Sequence, residues 1–390
     1  MKKRSDIFRR IPFKRYINYL AVAAVMLVFG VLAAAGGLKS SGSILLEKIA
    51  ISIILSVSLS RVVGFLGELS LGHAGFMCVG AYLGGITAKL LTPRIGNGLP
   101  TFLLALLVGA FCAGVLGFVI GLPALRLKGD YLAIVTLAFG EIVKVLFQQS
   151  AFFGGNLGLT TPKYGTGVLS KQYFFLIAFL MVLLSLAVVQ NLMRSKHGRA
   201  ITAIRDNEIA ARATGIDVTR YKLLAFIVSA CLAGIAGVLF NYTNSTVQAD
   251  KFGYNYSIEI LVMVVLGGMG NINGSIVAAT LITILNEKLR TVLTGDMAVL
   301  KDMVYALILI VLVIYKNAPA LRAFREKYNL KALFDKLFKS RTDPARVRDD
   351  SAEWDRIPTK IKMDELLSVD IKVEDEYAPQ RSSGDKEGKK

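Results

Sequence analysis

Apolar stretches as long as a bilayer is thick recur along this chain, and they constrain its fold more than any other feature. A hydrocarbon core about 30 Å thick needs roughly 20 apolar residues as a helix, because a helix satisfies its own backbone hydrogen bonds away from water. Residues 17–37, 44–66, 101–122, 172–193, 222–242 and 299–316 are the clear candidates, and 69–91 and 131–149 the weaker ones. The stretch 257–293 is apolar but broken by Gly267-Gly268-Met269-Gly270-Asn271-Ile272-Asn273-Gly274. It reads either as two shorter helices meeting at a turn or as two complete spans. The expected fold is all-α: a polytopic transmembrane helical bundle with 8–10 membrane segments, including broken or re-entrant helices.

Composition agrees with that reading. Only 19% of the residues are charged and 54% are hydrophobic, whereas a soluble domain carries about 25% charge. Cys78, Cys112 and Cys231 all lie in apolar runs. They offer neither a disulfide framework nor metal-ligand spacing and read as small buried hydrophobes.

The net charge of +18 raises the question of nucleic acid, and its distribution answers it. Residues 1–16 carry seven Lys/Arg against Asp6, and 194–222 carry seven against three acids. Residues 317–390 are nearly balanced, with seventeen against fifteen. The surplus therefore flanks membrane-length runs, as the positive-inside rule requires, and forms no phosphate-binding stripe. With the N-terminus in the cytoplasm, four spans bring Arg126 and Lys128 inside, and six bring the loop 194–221 inside. Loops 92–100, 150–171 and 243–256 fall outside and are poor in Lys/Arg. Both termini are cytoplasmic if 257–293 contributes an even number of crossings. The first span ends in Ala33-Ala34-Ala35, like a cleavage site, but its apolar region is too long for a signal peptide. It reads as an uncleaved helix.

The chain divides into a basic N-terminus (1–16), a transmembrane domain (17–317), a segment 318–340 and a charged tail (341–390). Leu330, Leu333, Phe334, Leu337 and Phe338 share one helical face, with lysines between them. That spacing predicts a basic amphipathic helix on the inner leaflet. The tail reads as solvated, or as a short docking segment.

Ionisable residues inside spans mark ion pathways or intramembrane catalysis. Here they are Glu47, Lys48, Arg61, Glu68, His73, Glu141, Lys144, Glu259, Glu287 and Lys288. Glu47–Lys48 and Glu287–Lys288 sit near segment ends, where long side chains can snorkel, and Glu141 and Lys144 are spaced to pair. They form no HExxH, paired-carboxylate or Ser/His/Asp grouping, so the chain does not read as an enzyme, and catalytic and metal-binding residues are none. No GxxxxGK[ST] loop occurs, so any ATP-driven motor must be another chain.

Two pieces carry the functional signal. The first is the glycine-punctuated stretch from Gly67 to Gly85, which contains Ser70, Gly72 and His73. Such density lets helices approach closely, or lets a helix unwind where backbone groups face a solute. The break containing Gly267, Gly268, Gly270 and Asn271 admits the same two readings. The second piece is the loop His197–Ile216. Asp206 is placed as an N-cap, with a helix over Asn207–Thr214 ending at Gly215, and a further short helix spans Arg199–Arg205. Two small helices between spans make a protruding knob suited to a partner's groove.

At this point the chain resembles the permease subunits of bacterial branched-chain amino-acid ABC importers, of the LivM type. The motifs are GELSLGHAGFMCVGAYLGG (67–85), LRLKGDYLAIVTLAFGEIVKVL (125–146), FGGNLGLTTP (153–162), GRAITAIRDNEIAARATGIDVTRYKLLAFIVSACLAGIAGVLF (198–240) and SIEILVMVVLGGMGNINGSIVAA (257–279). The resemblance implies a multi-pass subunit in the bacterial plasma (inner) membrane. Its partners are a second homologous permease, two cytoplasmic ATP-binding subunits and an extracytoplasmic solute-binding protein that delivers the amino acid. This chain would bind no cofactor, with ATP and Mg held by the partner ATPases, and no nucleic acid. The family's coupling role falls on Gly198, Arg199, Arg205, Asp206, Glu208, Ala211 and Gly215. Candidate pathway linings are Ser70, Gly72, His73, Gly267, Gly268, Gly270 and Asn271. Glu68 stands where the family more often has an uncharged residue, and the charged tail is longer than the family's. The alternatives are a same-superfamily permease for a sugar, nucleoside, urea or short amide, and an ion-coupled secondary transporter.

Overall fold

The computed structural model describes residues 13–310 apart from 36–39, 128, 162–163, 166–168, 245, 293–302, 305 and 309, with side chains described from Tyr19 onward. The expected amphipathic helix at 318–340, the tail 341–390, most of the basic N-terminus and most of the span 299–316 lie outside the described residues. The rest is a helical bundle: α1 (Phe13–Ala34), α2 (Ser40–Ser60), α3 (His73–Ile95), α4 (Leu99–Ala124), α5 (Asp130–Gln149) and α6 (Phe174–Arg194). Two short helices follow, α7 (Lys196–Asp206) and α8 (Glu208–Ala213), then α9 (Val218–Thr243), α10 (Tyr254–Gly267) and α11 (Ile272–Val292). Among the described residues, five helical segments are long and apolar enough to cross a membrane: Ser40–Leu66, His73–Ile95, Leu99–Ala124, Phe174–Arg194 and Val218–Thr243.

The α2 segment is the axis of the bundle, enclosed along 94% of its most apolar window. Its buried face includes Ser43, Ser52, Ser56, Ser58 and Ser60. A helix apolar all round belongs inside, and small serines let neighbours approach it from every side. By contrast, α4 is only 33% enclosed. Its buried residues Thr101, Ala105, Gly109, Ala113, Gly117 and Gly121 recur every four positions, while Leu103, Leu107 and Phe111 are exposed. That small-residue stripe runs antiparallel along α9. A Cβ on Gly114 would meet Cys231 Sγ at 2.5 Å, and one on Gly117 would meet the Ala230 Cβ at 2.6 Å.

The glycines of the 67–85 stretch resolve into both expected roles. Gly80 is a close-packing glycine on α3, where a Cβ would lie 2.3 Å from the Gly234 carbonyl oxygen of α9. Residues 67–72 are the unwound part. The α2 segment passes into a π-helical turn, Arg61–Leu66, which ends at Gly67 in the left-handed region (φ 80°). The helix α3 then starts at His73, deep in the bundle. The start of a helix leaves N–H groups unpaired, and here hydroxyls from other helices supply partners just before and within the first turn of α3. Leu71 N–H donates to Thr136 Oγ1 (3.0 Å) on α5, and Ala74 N–H to Ser257 Oγ (3.2 Å) on α10.

The 257–293 stretch is a helical hairpin. At 1.5 Å per residue, the 14 residues of α10 reach about 21 Å, short of a hydrocarbon core. Gly268 (φ 97°) and Gly270 (φ 78°) make the turn. Ser56 Oγ donates to the Ser275 carbonyl (3.3 Å), seating α11 on the axis.

The charges near segment ends do not all snorkel. Glu47 is fully buried beside the Tyr164 hydroxyl, and Lys48 Nζ reaches across to Glu287 Oε2 at 2.7 Å, joining α2 to α11. Glu141 and Lys144 form the predicted pair within α5, and Glu141 also accepts from Tyr254 N–H at the start of α10 (2.7 Å).

Candidate functional site

Three pieces remote in sequence meet at one end of the bundle: the π turn 61–67, the hairpin turn 268–271 and the helices α7 and α8. Gly64 is where the first two touch, since a Cβ there would lie 2.3 Å from the Gly270 nitrogen. Arg205 ties in the third. Its Nη1 donates to the Gly64 carbonyl (3.2 Å), while its Nε and Nη2 hold Asp206 Oδ1 at 3.0 and 2.9 Å.

The helix pair is built from local capping. Ser195 Oγ accepts from His197 N–H (3.2 Å) and Gly198 N–H (3.4 Å) to start α7. Gly198 is required there, because a Cβ would meet the Met193 carbonyl at 2.2 Å. The cap of α8 is Asn207, not Asp206: Asn207 Oδ1 accepts from Ile209 N–H and Ala210 N–H, both at 3.0 Å. Asp206 is the last residue of α7, turned toward Arg205, so α8 runs only from Glu208 to Ala213. Gly215 then turns the chain at φ 84°, as its position after a helix end predicts. A separate apolar cluster of Leu66, Ile201, Ile204, Ala211, Val218 and Ala225 fastens the pair to the bundle.

The residues singled out in the 194–221 loop therefore face different ways. Gly198 and Ala211 are buried, Arg199, Arg205, Asp206 and Gly215 are exposed, and Glu208 lies between. The most outward apolar side chain is one the sequence reading did not single out, Ile209, which is 80% exposed on α8. Arg212 is exposed beside it and pairs with Glu208 Oε1 (3.1 Å).

Beneath α8 lies a buried ionic chain. Lys222 Nζ, on the first turns of α9, contacts Glu68 Oε1 at 2.5 Å and Glu208 Oε2 at 3.3 Å. Its side chain is only 4% exposed. Glu68 thus has a partner within the bundle. In the sequence Lys222 counts only among the seven Lys/Arg of 194–222. A signal existed: Val218, Lys222, Ala225 and Ser229 follow helical spacing, which puts the lysine on the buried face of α9.

Among the candidate pathway residues, Gly72 packs against the Thr136 carbonyl, where a Cβ would sit at 2.4 Å. His73 Nε2 lies 2.6 Å from Ser58 Oγ on the axis helix. Ser70 is buried. Gly267 lies against Ser275 across the hairpin, Gly268 and Gly270 form its turn, and Asn271 Oδ1 accepts from Gly274 N–H (3.2 Å). The hairpin turn thus meets the π turn at Gly64, immediately before the unwound segment. Arg61, buried at the start of that turn, donates through Nη2 to the Ala225 carbonyl (2.6 Å).

The opposite end is closed by short connections. Leu159 and Thr160 pair antiparallel with Val247 and Thr246. Tyr82 OH donates to the Val247 carbonyl (3.0 Å), and the buried Asn241 accepts from Thr161 Oγ1 (2.6 Å) while donating to the Ala81 carbonyl (3.0 Å). In this region burial, and then the nearby Glu47 carboxylate, push the Tyr164 phenol above its usual range.

Comparison with known proteins follows the same lines. Residues 43–313 match the family described as branched-chain amino acid transport system / permease component. Over 269 residues the chain is 40% identical to the high-affinity branched-chain amino acid transport system permease protein LivM of Salmonella typhimurium, covering 62% of this chain and 61% of that protein. The protein of the same description from Escherichia coli is 38% identical over 268 residues, with the same coverage. The matched stretch thus spans less than two thirds of the length of either relative. The ribose import permease protein RbsC of Escherichia coli is 26% identical over 293 residues, covering 70% of this chain and 84% of that protein. No solved structure matches.

Proposed function

The chain belongs to the family of branched-chain amino acid transport permease components, and from that premise we propose that it is the membrane-spanning subunit of an ATP-driven importer of leucine, isoleucine and valine. The observation that carries the reading is the capped helix pair α7–α8, held on the π turn by the Arg205–Gly64 hydrogen bond. A rigid projection joined to a place where a spanning helix is broken is suited to pass a push from outside the membrane into it. The chain carries no P-loop of its own, so the push comes from partner ATPases, two of them, docked on the exposed face that carries Arg199, Ile209 and Arg212. In this reading that end is cytoplasmic, with both termini on the same side. A second, similar permease completes the path, and a binding protein delivers the amino acid to the opposite end, around 150–173 and 244–253. Residues 67–73 and 267–271 then line or gate the path. The 40% and 38% identities to LivM proteins favour branched-chain amino acids as cargo.

Competition of radiolabelled leucine uptake tests the cargo. Isoleucine and valine should compete and ribose should not. The relationship to a ribose permease makes a sugar the second reading, and inhibition by ribose without inhibition by valine would establish it. Co-purification should recover an ATPase and a second permease, whereas an active chain purified alone would overturn the importer reading.

A further inference from the structure

We infer that Lys222 is the joint that relays movement of the coupling helix α8 to the unwound segment of the bundle, a positioning role that rests on the importer reading above. The geometry is a continuous ionic chain from surface to interior: Arg212 to Glu208 (3.1 Å), Glu208 to Lys222 (3.3 Å), Lys222 to Glu68 (2.5 Å). Exposure falls from 69% at Arg212 through 21% at Glu208 to 4% at Lys222, and is 11% at Glu68. Each member sits on a different piece or turn of the machinery. Arg212 and Glu208 are on α8, Lys222 is on α9, and Glu68 opens the segment that links the π turn to α3.

The one deeply buried charge is the Lys222 ammonium, held between the carboxylates of Glu68 and Glu208. An ammonium taken out of water needs its partners close, and removing one strands the other in a medium that screens poorly. The two contacts of Lys222 are unequal. The one to Glu68 is short and enclosed, and the one to Glu208 is longer and nearer solvent. A shift of α8 away from α9 therefore breaks the Glu208 contact first and leaves Lys222 wholly with Glu68. Docking that presses α8 inward does the reverse, and divides the ammonium between both carboxylates. Glu68 follows Gly67, which is in the left-handed region, and its N–H donates to the Val62 carbonyl (3.2 Å) near the start of the π turn. A change in pull on Glu68 thus acts on the hinge between the axis helix and α3. Arg205 at Gly64 holds the same turn from its other side.

The test uses the assembled complex, with the partner permease and ATPases in proteoliposomes and leucine-loaded binding protein outside. Leucine taken up per ATP hydrolysed is measured for wild type, Glu68→Gln, Glu208→Gln, the double variant and Lys222→Met. Each single Gln variant should lower the ratio several-fold, and Lys222→Met should lower it about tenfold, within the usual range of coupling between sites. The double Gln variant should be no worse than the poorer single one, because both act through the same lysine. A purely structural role would lower the melting temperature and the amount of complex while leaving the ratio alone. Ratios like wild type, or effects of Glu68→Gln and Glu208→Gln that multiply independently, would overturn the inference. If Lys222→Met does not assemble, the Gln cycle alone decides, since both residues retain hydrogen bonding. A wild-type complex without ATP-driven leucine uptake would instead overturn the importer reading itself.

Discussion

Arg205 and Gly64 are 141 positions apart, yet a guanidinium nitrogen of one donates to the backbone carbonyl of the other at 3.2 Å. The bond exists because the π turn presents that carbonyl at the end of the bundle, and because Gly67 leaves room for the arginine stem. A Cβ on Gly67 would lie 2.8 Å from Arg205 Cγ. Arg205→Ala removes this strut together with the Asp206 pair. The pair with Asp206 is substantially exposed and stabilises by well under about 1 kcal/mol. Uptake per ATP should therefore fall about fivefold with little change in melting temperature. Proteoliposome uptake and thermal unfolding, measured side by side, check both halves.

The N-cap assignment separates two neighbouring residues. Asn207→Ala removes the acceptor for two N–H groups of α8 and should destabilise that helix by about 1 kcal/mol. Asp206→Ala removes only a surface pair and should leave α8 intact. Hydrogen exchange over 208–213 distinguishes them: faster exchange in the Asn207 variant and unchanged exchange in the Asp206 variant. Equal protection in both would remove the cap.

Gly80→Ala tests the glycine contacts of the core. Its Cβ would meet the backbone of Gly234, at 2.3 Å from the oxygen and 2.5 Å from the Cα, so no rotamer change can relieve it. Overpacking of this kind costs about 1–3 kcal/mol. Gly98→Ala is the control, since its nearest neighbour would be Pro100 Cδ at an ordinary 3.5 Å. A drop in melting temperature in detergent is expected for Gly80→Ala alone.

At the opposite end, Asn241→Ala leaves the Ala81 carbonyl and the Thr161 hydroxyl without their buried partner. Such a loss costs about 1–3 kcal/mol. Because Thr161 follows the strand Leu159–Thr160, the effect should appear locally, as faster proteolysis of the 150–171 connection. Protection equal to wild type would show that the strand pair alone holds it.

Much of this architecture is legible in one dimension. Span length is set by bilayer thickness, so the apolar runs at 44–66, 101–122, 172–193 and 222–242 emerge as helices close to their expected bounds. The capped helix pair is also legible, because caps and left-handed glycines are local: Gly215 turns the chain where it should. The cap itself slipped by one residue. Asp and Asn are both good caps, and only the competing pull of Arg205 on Asp206 leaves the role to Asn207.

Pattern alone did not decide what each glycine or charge is for. Glycine density around 67–85 is compatible with packing or unwinding, and only the neighbours that folding brings show which: a Cβ on Gly80 would strike Gly234, whereas Thr136 and Ser257 hydroxyls take the N–H groups of Leu71 and Ala74. Lys222 reads as a flanking positive charge until folding brings Glu68 and Glu208 to it from 154 and 14 positions away. A helical membrane bundle with a capped loop between spans is written along the chain, because hydrophobic length, helix period and capping act over neighbouring residues. Which buried charges are paired, and which helix break the loop holds, emerges on folding. Those relations arise from close approach between distant segments, in a low-dielectric interior where a few ångströms separate a satisfied ion from a stranded one.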